Sequence, residues 1–319
     1  MPTTHLRRAA HRRALFAAPE RPEADPPARA ISGIVLDASP HLLVVAEAAA
    51  RGAETRIAMS EDTAIWHGGR GGPAALRPGR PVVVRRTGGG RGRAERIWVG
   101  IGRVSGTIIA RGRGTVEVDM GPHRGRAHVV IPPSVLGPVL VRHPRLEPGY
   151  LIDVVCVGTP GGPQAVRPGT SQPGYRVADL AAPEAAAPVP REPRGTATWF
   201  GGVDGEWRDG ASYPAVDSEG DAGGCADAPA GCAPMPYLSI GSEITVRNEC
   251  GGRTAPVRVI ECGCTAARFC DRCVECDASP RGRIVELTPA AFAGLGGDLA
   301  AGCFNATVRP AAPGGMEGP

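Results

Sequence analysis

Between residues 31 and 166 the apolar positions come in short β-branched runs: Leu42 to Val45, Thr55 to Ile57, Thr115 to Val118 and His128 to Ile131, separated by Gly and Pro. Runs of that length and composition predict strands. Two landmarks recur along this stretch. Ile31-Ser32-Gly33-Ile34-Val35 matches Val104-Ser105-Gly106-Thr107-Ile108, and Arg77-Pro78-Gly79-Arg80-Pro81-Val82-Val83-Val84 matches Glu147-Pro148-Gly149-Tyr150-Leu151-Ile152-Asp153-Val154. The offsets are 73 and 70 residues, so the landmarks keep nearly the same spacing in both copies. The pattern predicts two tandem antiparallel units, 31–100 and 101–166, each with a Pro-Gly turn before its last strand. Farther on, Glu243 to Arg247 and much of Pro256 to Ile260 alternate polar and apolar residues around a turn at Glu249 to Gly252. Thr288 is a natural N-cap, Pro289 stands at the first helical position, and Ala290 to Leu295 forms a short apolar helix before a last strand, Phe304 to Val308. That mixed order predicts a small closed β-barrel with one short helix over 195–309.

Composition narrows the function classes. Of 319 residues, 46 are Gly and 33 are Pro, which leaves few stretches long enough for the helices of a large α/β enzyme or a helical bundle. No apolar run is long enough to span a membrane. All 36 cationic residues are Arg, so a Schiff-base lysine, a P-loop lysine and a kinase-type lysine are excluded, and no cofactor is expected. Charge is uneven: 27 Arg against 16 acids over 1–194, net +11, and 9 Arg against 15 acids over 195–309, net −6. The basic half has no aromatic-interleaved strand of the RNA-binding kind, so it reads as a solvated basic surface and nucleic acid is not an expected partner. Residues 1–30 and 310–319 read as loose ends and 167–194 as a Pro/Ala-rich linker. Ala14 to Ala18 is too short for the apolar core of a secretion signal.

Each early copy is similar in pattern to an OB-like barrel. With Val-x-Gly and Leu-x-Pro-Gly landmarks, the pair resembles the repeated small β-barrels of bacterial envelope proteins, which implies a spacer or a binding module. Cys156, within Val154-Val155-Cys156-Val157, reads as a small buried hydrophobe.

The C-terminal unit carries a more specific set of blocks. In order they are Gly195-Thr196-Ala197-Thr198-Trp199-Phe200-Gly201, Leu238-Ser239-Ile240-Gly241-Ser242-Glu243-Ile244-Thr245-Val246-Arg247-Asn248, Gly252-Arg253-Thr254-Ala255-Pro256-Val257-Arg258-Val259-Ile260-Glu261, and Gly282-Arg283-Ile284-Val285-Glu286-Leu287-Thr288-Pro289-Ala290-Ala291-Phe292 with Leu295-Gly296. This order resembles the rare-lipoprotein-A-like double-psi β-barrel family, kin to expansins. The resemblance implies a mainly β chain in which two small OB-like barrels precede a Cys-rich six-stranded double-psi barrel. It also implies an extracellular or cell-envelope location and a cell-wall glycan as partner; some members of the family are lytic transglycosylases. The family's two acids fall on Glu261 and Glu286, each longer by one methylene, and its His falls on Met235. An extra methylene moves a carboxyl by roughly an ångström, and a misplacement of ~1 Å can cost ~100-fold in rate. Catalysis through Glu261 is therefore expected to be lost or weak, leaving a degenerate site. A structural alternative for Glu286 is to cap the nearby helix or pair with Arg283. Trp199, Phe200, Trp207 and Tyr237 are the candidate glycan-stacking aromatics.

The seven His all precede residue 144, while nine of the ten Cys follow residue 224, so no Cys–His site forms within the C-terminal unit alone. The nine are Cys225, Cys232, Cys250, Cys262, Cys264, Cys270, Cys273, Cys276 and Cys303. Two readings compete: a disulfide framework in an exported domain, or a zinc ion on four thiolates from among Cys262, Cys264, Cys270, Cys273 and Cys276. Compartment favours disulfides, with connectivity open. Three functions follow. They are wall-polysaccharide binding with a degenerate site, transglycosylase-like cleavage using Glu261, and a disulfide-stapled structural or protein-interaction module.

Overall fold

The chain is mainly β. The computed structural model describes residues 30–88, 92–179, 189–202, 209–217, 232–273, 275–277 and 279–310. The expected loose ends, Trp207 and Cys225 lie outside them, apart from Ala30 and Pro310.

The first copy comprises β1 (Ala30–Ala38), β2 (Leu42–Glu47), β3 (Ala53–Ala58), β4 (Ala64–Trp66), β5 (Pro81–Arg86) and β6 (Ala94–Val99). They form a six-stranded sheet in the order β3-β2-β1-β5-β6-β4. The second copy follows at once with β7 (Ile101–Arg111), β8 (Thr115–Asp119), β9 (Arg126–Val130), α1 (Pro133–Arg142), β10 (Leu151–Thr159) and β11 (Gly162–Pro168). Its five strands close into a barrel.

The repeat is real at the level of register. Gly33 on β1 faces Val82 on β5, and Gly106 on β7 faces Ile152 on β10. Both first strands carry a bulge at the matching place, between Val35 and Asp37 and between Ile108 and Ala110. The recurring glycine has one cause in both copies. A Cβ would lie 2.2 Å from the Ala46 carbonyl oxygen at Gly33 and 2.1 Å from that of Asp119 at Gly106, so only glycine lets the next strand approach. The copies diverge after their third strands. In the first, β4 lies parallel to β6; in the second, α1 stands between β9 and β10, and a parallel contact between Gln164 and Val130 closes the ring. The strand reading of 31–166 missed α1, because Pro132, Pro133, Gly137 and Pro138 read as turn residues. Pro133 instead opens the helix, where a missing N–H costs nothing.

The C-terminal unit comprises β12 (Arg194–Trp199), β13 (Ala211–Tyr213), β14 (Glu243–Asn248), β15 (Thr254–Cys262), β16 (Arg283–Leu287), α2 (Pro289–Gly294) and β17 (Cys303–Pro310). Its six strands close in the order β12-β16-β13-β15-β14-β17. Two neighbouring pairs, β12 with β16 and β13 with β15, are parallel; the others are antiparallel. Thr288 precedes α2 as expected, but its hydroxyl turns away from the helix. It donates to Asp209 (3.0 Å) and accepts from the Gly210 N–H (3.2 Å), tying the helix start to the approach of β13.

The three units share apolar surface. Trp66, Val83, Trp98, Ile101 and Val155 from the first two join the core of the third, alongside Trp199, Tyr213, Val259, Leu287 and Phe304. The expected linker contributes to this junction. Gly169 N–H donates to the Asp153 carbonyl (2.9 Å), Thr170 Oγ1 to the Asp153 carboxylate (2.9 Å), and Ser171 bridges to Arg272. Residues 169–172 are thus packed into the junction, while Gly174, Arg176, Ala178 and Asp179 are exposed. Thr170 finds its partner at the junction, which apolar periodicity does not reveal; residues 180–188 lie outside the described set.

Candidate functional site

The barrel register brings the two acids together. On the short strand β13, Ser212 stands beside Glu261 of parallel β15 on one side and Glu286 of antiparallel β16 on the other. The three side chains lie on one patch of wall, and Ser212 Oγ donates to Glu261 Oε1 at 3.2 Å. Residues 25 apart in sequence become a pair because β13 inserts between their strands.

The space between the acids is taken by an arginine of the second barrel. Arg124 sits in the tight turn between β8 and β9, where Gly121 N–H bonds Asp119 Oδ1 (2.9 Å) and Gly125 N–H bonds the Gly121 carbonyl (3.0 Å). Thr265 Oγ1 donates to the Met120 carbonyl (3.2 Å) and pins this turn to the segment following Glu261. From there Arg124 Nη2 reaches Glu261 Oε1 at 2.6 Å and Nη1 reaches Glu286 Oε2 at 2.7 Å. Its guanidinium also lies over the Phe200 ring, 4.1 Å from the centroid. Such a charge-assisted fork, stacked on an aromatic face, suits arginine and not lysine. The remaining crevice, lined by His123, Glu261, Cys262 and Glu286 among others, has a free volume of about 10 Å³, room for one water at most.

A second, fully buried layer lies beneath. Arg283 of β16 donates from Nη1 to Glu286 Oε1 (2.6 Å) and to Ser105 Oγ (2.7 Å), and from Nη2 to Asp153 Oδ2 and Asp271 Oδ2 (2.6 Å each). Arg103 grips the same Asp153 carboxylate with Nε (2.8 Å) and Nη2 (2.5 Å), and also donates to the Gly302 carbonyl. Glu286 therefore does pair with Arg283, while Arg124 holds its other oxygen. Burial alone would raise the Glu286 pKa; the Arg124 and Arg283 guanidiniums outweigh it and hold the carboxyl below its usual range. Burial would raise Asp153 as well, and Arg103 and Arg283 hold it far below the usual range. Asp271 goes the other way: burial, with the Asp153 charge nearby, pushes it up despite Arg283. Both surrounded arginines, Arg124 and Arg283, are raised by these carboxylates against the cost of burial.

The candidate aromatics separate. Trp199 is 0% exposed, its indole N–H bonded to the Leu299 carbonyl and its ring under Arg103. Phe200 is 3% exposed beneath Arg124. Neither offers a face to a sugar, because the second barrel covers this side. Tyr237, 74% exposed, is open. Met235, at the position expected for a His, is buried in the barrel core.

No protein-family model matches this chain, and no curated protein does.

Five of the described cysteines are in disulfides. Cys232 pairs with Cys270 and Cys250 with Cys276, and Cys264 is also disulfide-bonded. These bonds bear on the alternative zinc site. It needs four of five sulfurs, and Cys264, Cys270 and Cys276 are engaged. Cys156 is buried, and burial pushes its thiol pKa up, in keeping with a small hydrophobe.

Sequence reasoning found the acid pair and missed what binds it. Arg124 lies in another unit, 137 residues before Glu261, and no local pattern links them. Asp153 did carry a signal: a lone acid within the otherwise apolar Leu151 to Val157. A charge in a strand buried on both faces requires a buried partner.

Proposed function

We propose that this chain is a cell-envelope protein whose six-stranded barrel is of the double-psi type and contacts wall polysaccharide without cleaving it. The ordered sequence blocks and the mixed parallel and antiparallel closed barrel support the double-psi assignment. The disulfides support an oxidising, extracytoplasmic setting. Among the described residues no helix is long and apolar enough to cross a membrane.

One observation carries the non-cleaving part: Arg124 bonds both acids at once, at 2.6 and 2.7 Å. A glycan-cleaving carboxyl must hold a proton to give to the leaving oxygen. The Arg124 guanidinium fills the place of the scissile bond, and together with Arg283 it holds Glu286 ionised against the cost of burial. With Met235 in the position of the family's His, the acids serve as a clamp between the five-stranded and the six-stranded barrel.

Exposed Tyr237, followed by partly exposed Ile240, is the stacking face this reading uses. In a pull-down on purified peptidoglycan, the protein is expected to be retained, and Tyr237→Ala is expected to weaken retention about tenfold, the equivalent of one aromatic contact. Equal retention of both proteins would remove Tyr237 from the reading. No retention of either would favour the stapled interaction module, which the burial of Trp199 and Phe200 supports.

A further inference from the structure

Two buried thiols outside the acid pair face each other across the Cys-rich segment. Cys273 lies midway between Cys270, joined to Cys232, and Cys276, joined to Cys250. Its backbone N–H contacts Thr196 Oγ1 and Ser279 Oγ, both at 3.2 Å. Thr196 is on β12, which pairs with β17 in a register that sets Thr196 beside Asn305 and Thr198 beside Cys303. Asn305 points at the Cys-rich segment, donating to the Asp277 carbonyl (2.6 Å) and to Cys276 Sγ (3.3 Å). Cys303 is two residues before Asn305 on the same strand, so its side chain leaves the same face. The Cys273 and Cys303 side chains are neighbours that act on each other's titration, and both residues are buried.

We propose that Cys273 and Cys303 close a further disulfide as the protein folds in an oxidising compartment. The oxidant is a disulfide of the compartment, carried by a thiol oxidoreductase or by oxidised glutathione. Cys273 attacks one of its sulfurs, forming a mixed disulfide and expelling one thiol. Cys303 then attacks the Cys273 sulfur and expels the second thiol. The protein loses two hydrogens and the oxidant becomes two thiols. Because both sulfurs are buried in the finished fold, the exchange precedes closure of the segment over β17. The bond anchors the segment carrying Asp271, so the support beneath the acid pair is held covalently as well as by charge.

Peptide mapping tests this. The full chain, refolded with oxidised glutathione, is denatured without reductant, alkylated and cleaved after arginine. Residues 248–253 carry Cys250, 273–281 carry Cys273 and Cys276, and the peptide starting at Ile284 carries Cys303. The expected product is one species joining all three peptides, four hydrogens lighter than their sum. Recovery of 273–281 joined only to 248–253, with alkyl groups on Cys273 and Cys303, would overturn the proposal. In Cys303→Ser the expected result is one new alkylated thiol, at Cys273, with the Cys250–Cys276 link intact. A Cys273 that stays unalkylated in that variant is bound elsewhere, and this too would overturn it.

Discussion

Replacing Asp153 by alanine is expected to lower stability by about 3–5 kcal/mol, the range for removing one partner from a buried charge cluster. Asp153 is on β10 of the second barrel, and it takes Arg103 from the same barrel and Arg283 from the third, with all three side chains at zero exposure. Without it, Arg103 loses its only carboxylate among the described ion pairs, while Arg283 keeps Asp271 and Glu286. The guanidinium of Arg103 would remain desolvated over Trp199, with the Gly302 carbonyl to accept from it. Urea unfolding followed by tryptophan fluorescence measures the loss, and Asp153→Asn is expected to recover part of it by keeping the shape and one acceptor oxygen. A loss below about 1 kcal/mol for the alanine variant would mean that the junction opens and hydrates these arginines at little cost.

Stability is also expected to fall as pH drops from about 6.5 to about 4, by roughly 3 kcal/mol, through His143. This residue follows α1 and is almost wholly buried. Burial lowers its pKa to about 4, against the attraction of Asp153 and with the help of Arg283 and Arg103. The sign follows directly. The native state keeps His143 neutral down to about pH 4, whereas the unfolded chain protonates it below about 6.5. The unfolded state therefore binds more protons across that window, and stability decreases with falling pH. Asp153 and Glu286 act lower on the scale. Their folded values are depressed, so their contribution is present above the ordinary carboxylate range and is lost only as pH falls below it. Asp271, raised by burial, acts in the opposite sense, since its folded form holds a proton to higher pH than the unfolded chain does; the share of the slope that His143→Leu removes is the histidine's. His143→Leu, which keeps an uncharged side chain of suitable size, is expected to flatten the slope; an unchanged slope would assign it to other groups.

Both predictions concern the junction between the barrels, the part least legible in the sequence. The strands were legible because their signals are local. The glycine that follows Ile31-Ser32 and Val104-Ser105, Gly33 and Gly106, marks a close strand approach, and Glu243 to Arg247 alternates as a half-buried strand must. The acids at Glu261 and Glu286 were legible through block order. The barrel then joined them through Ser212, on a three-residue strand too short to leave a periodic trace. Arg124 stayed hidden for a different reason. In a chain with 36 arginines, one more in a glycine-rich turn carries no mark, and its partners are reached only through tertiary packing. The aromatics show the same limit: a Trp-Phe pair at the end of β12 reads equally as a sugar platform or as core, and what decides is the barrel that lies on top of it.

The most direct test of a wall-contacting barrel with a clamped, non-cleaving acid pair is incubation of the purified protein with peptidoglycan, scoring soluble fragments. The account predicts no release above background, and the same for Glu261→Gln, since Glu261 serves Arg124 and not a substrate. Clear release by the unmodified protein that disappears in Glu261→Gln would contradict it, for it would show that Arg124 leaves the acids and that Glu261 delivers a proton.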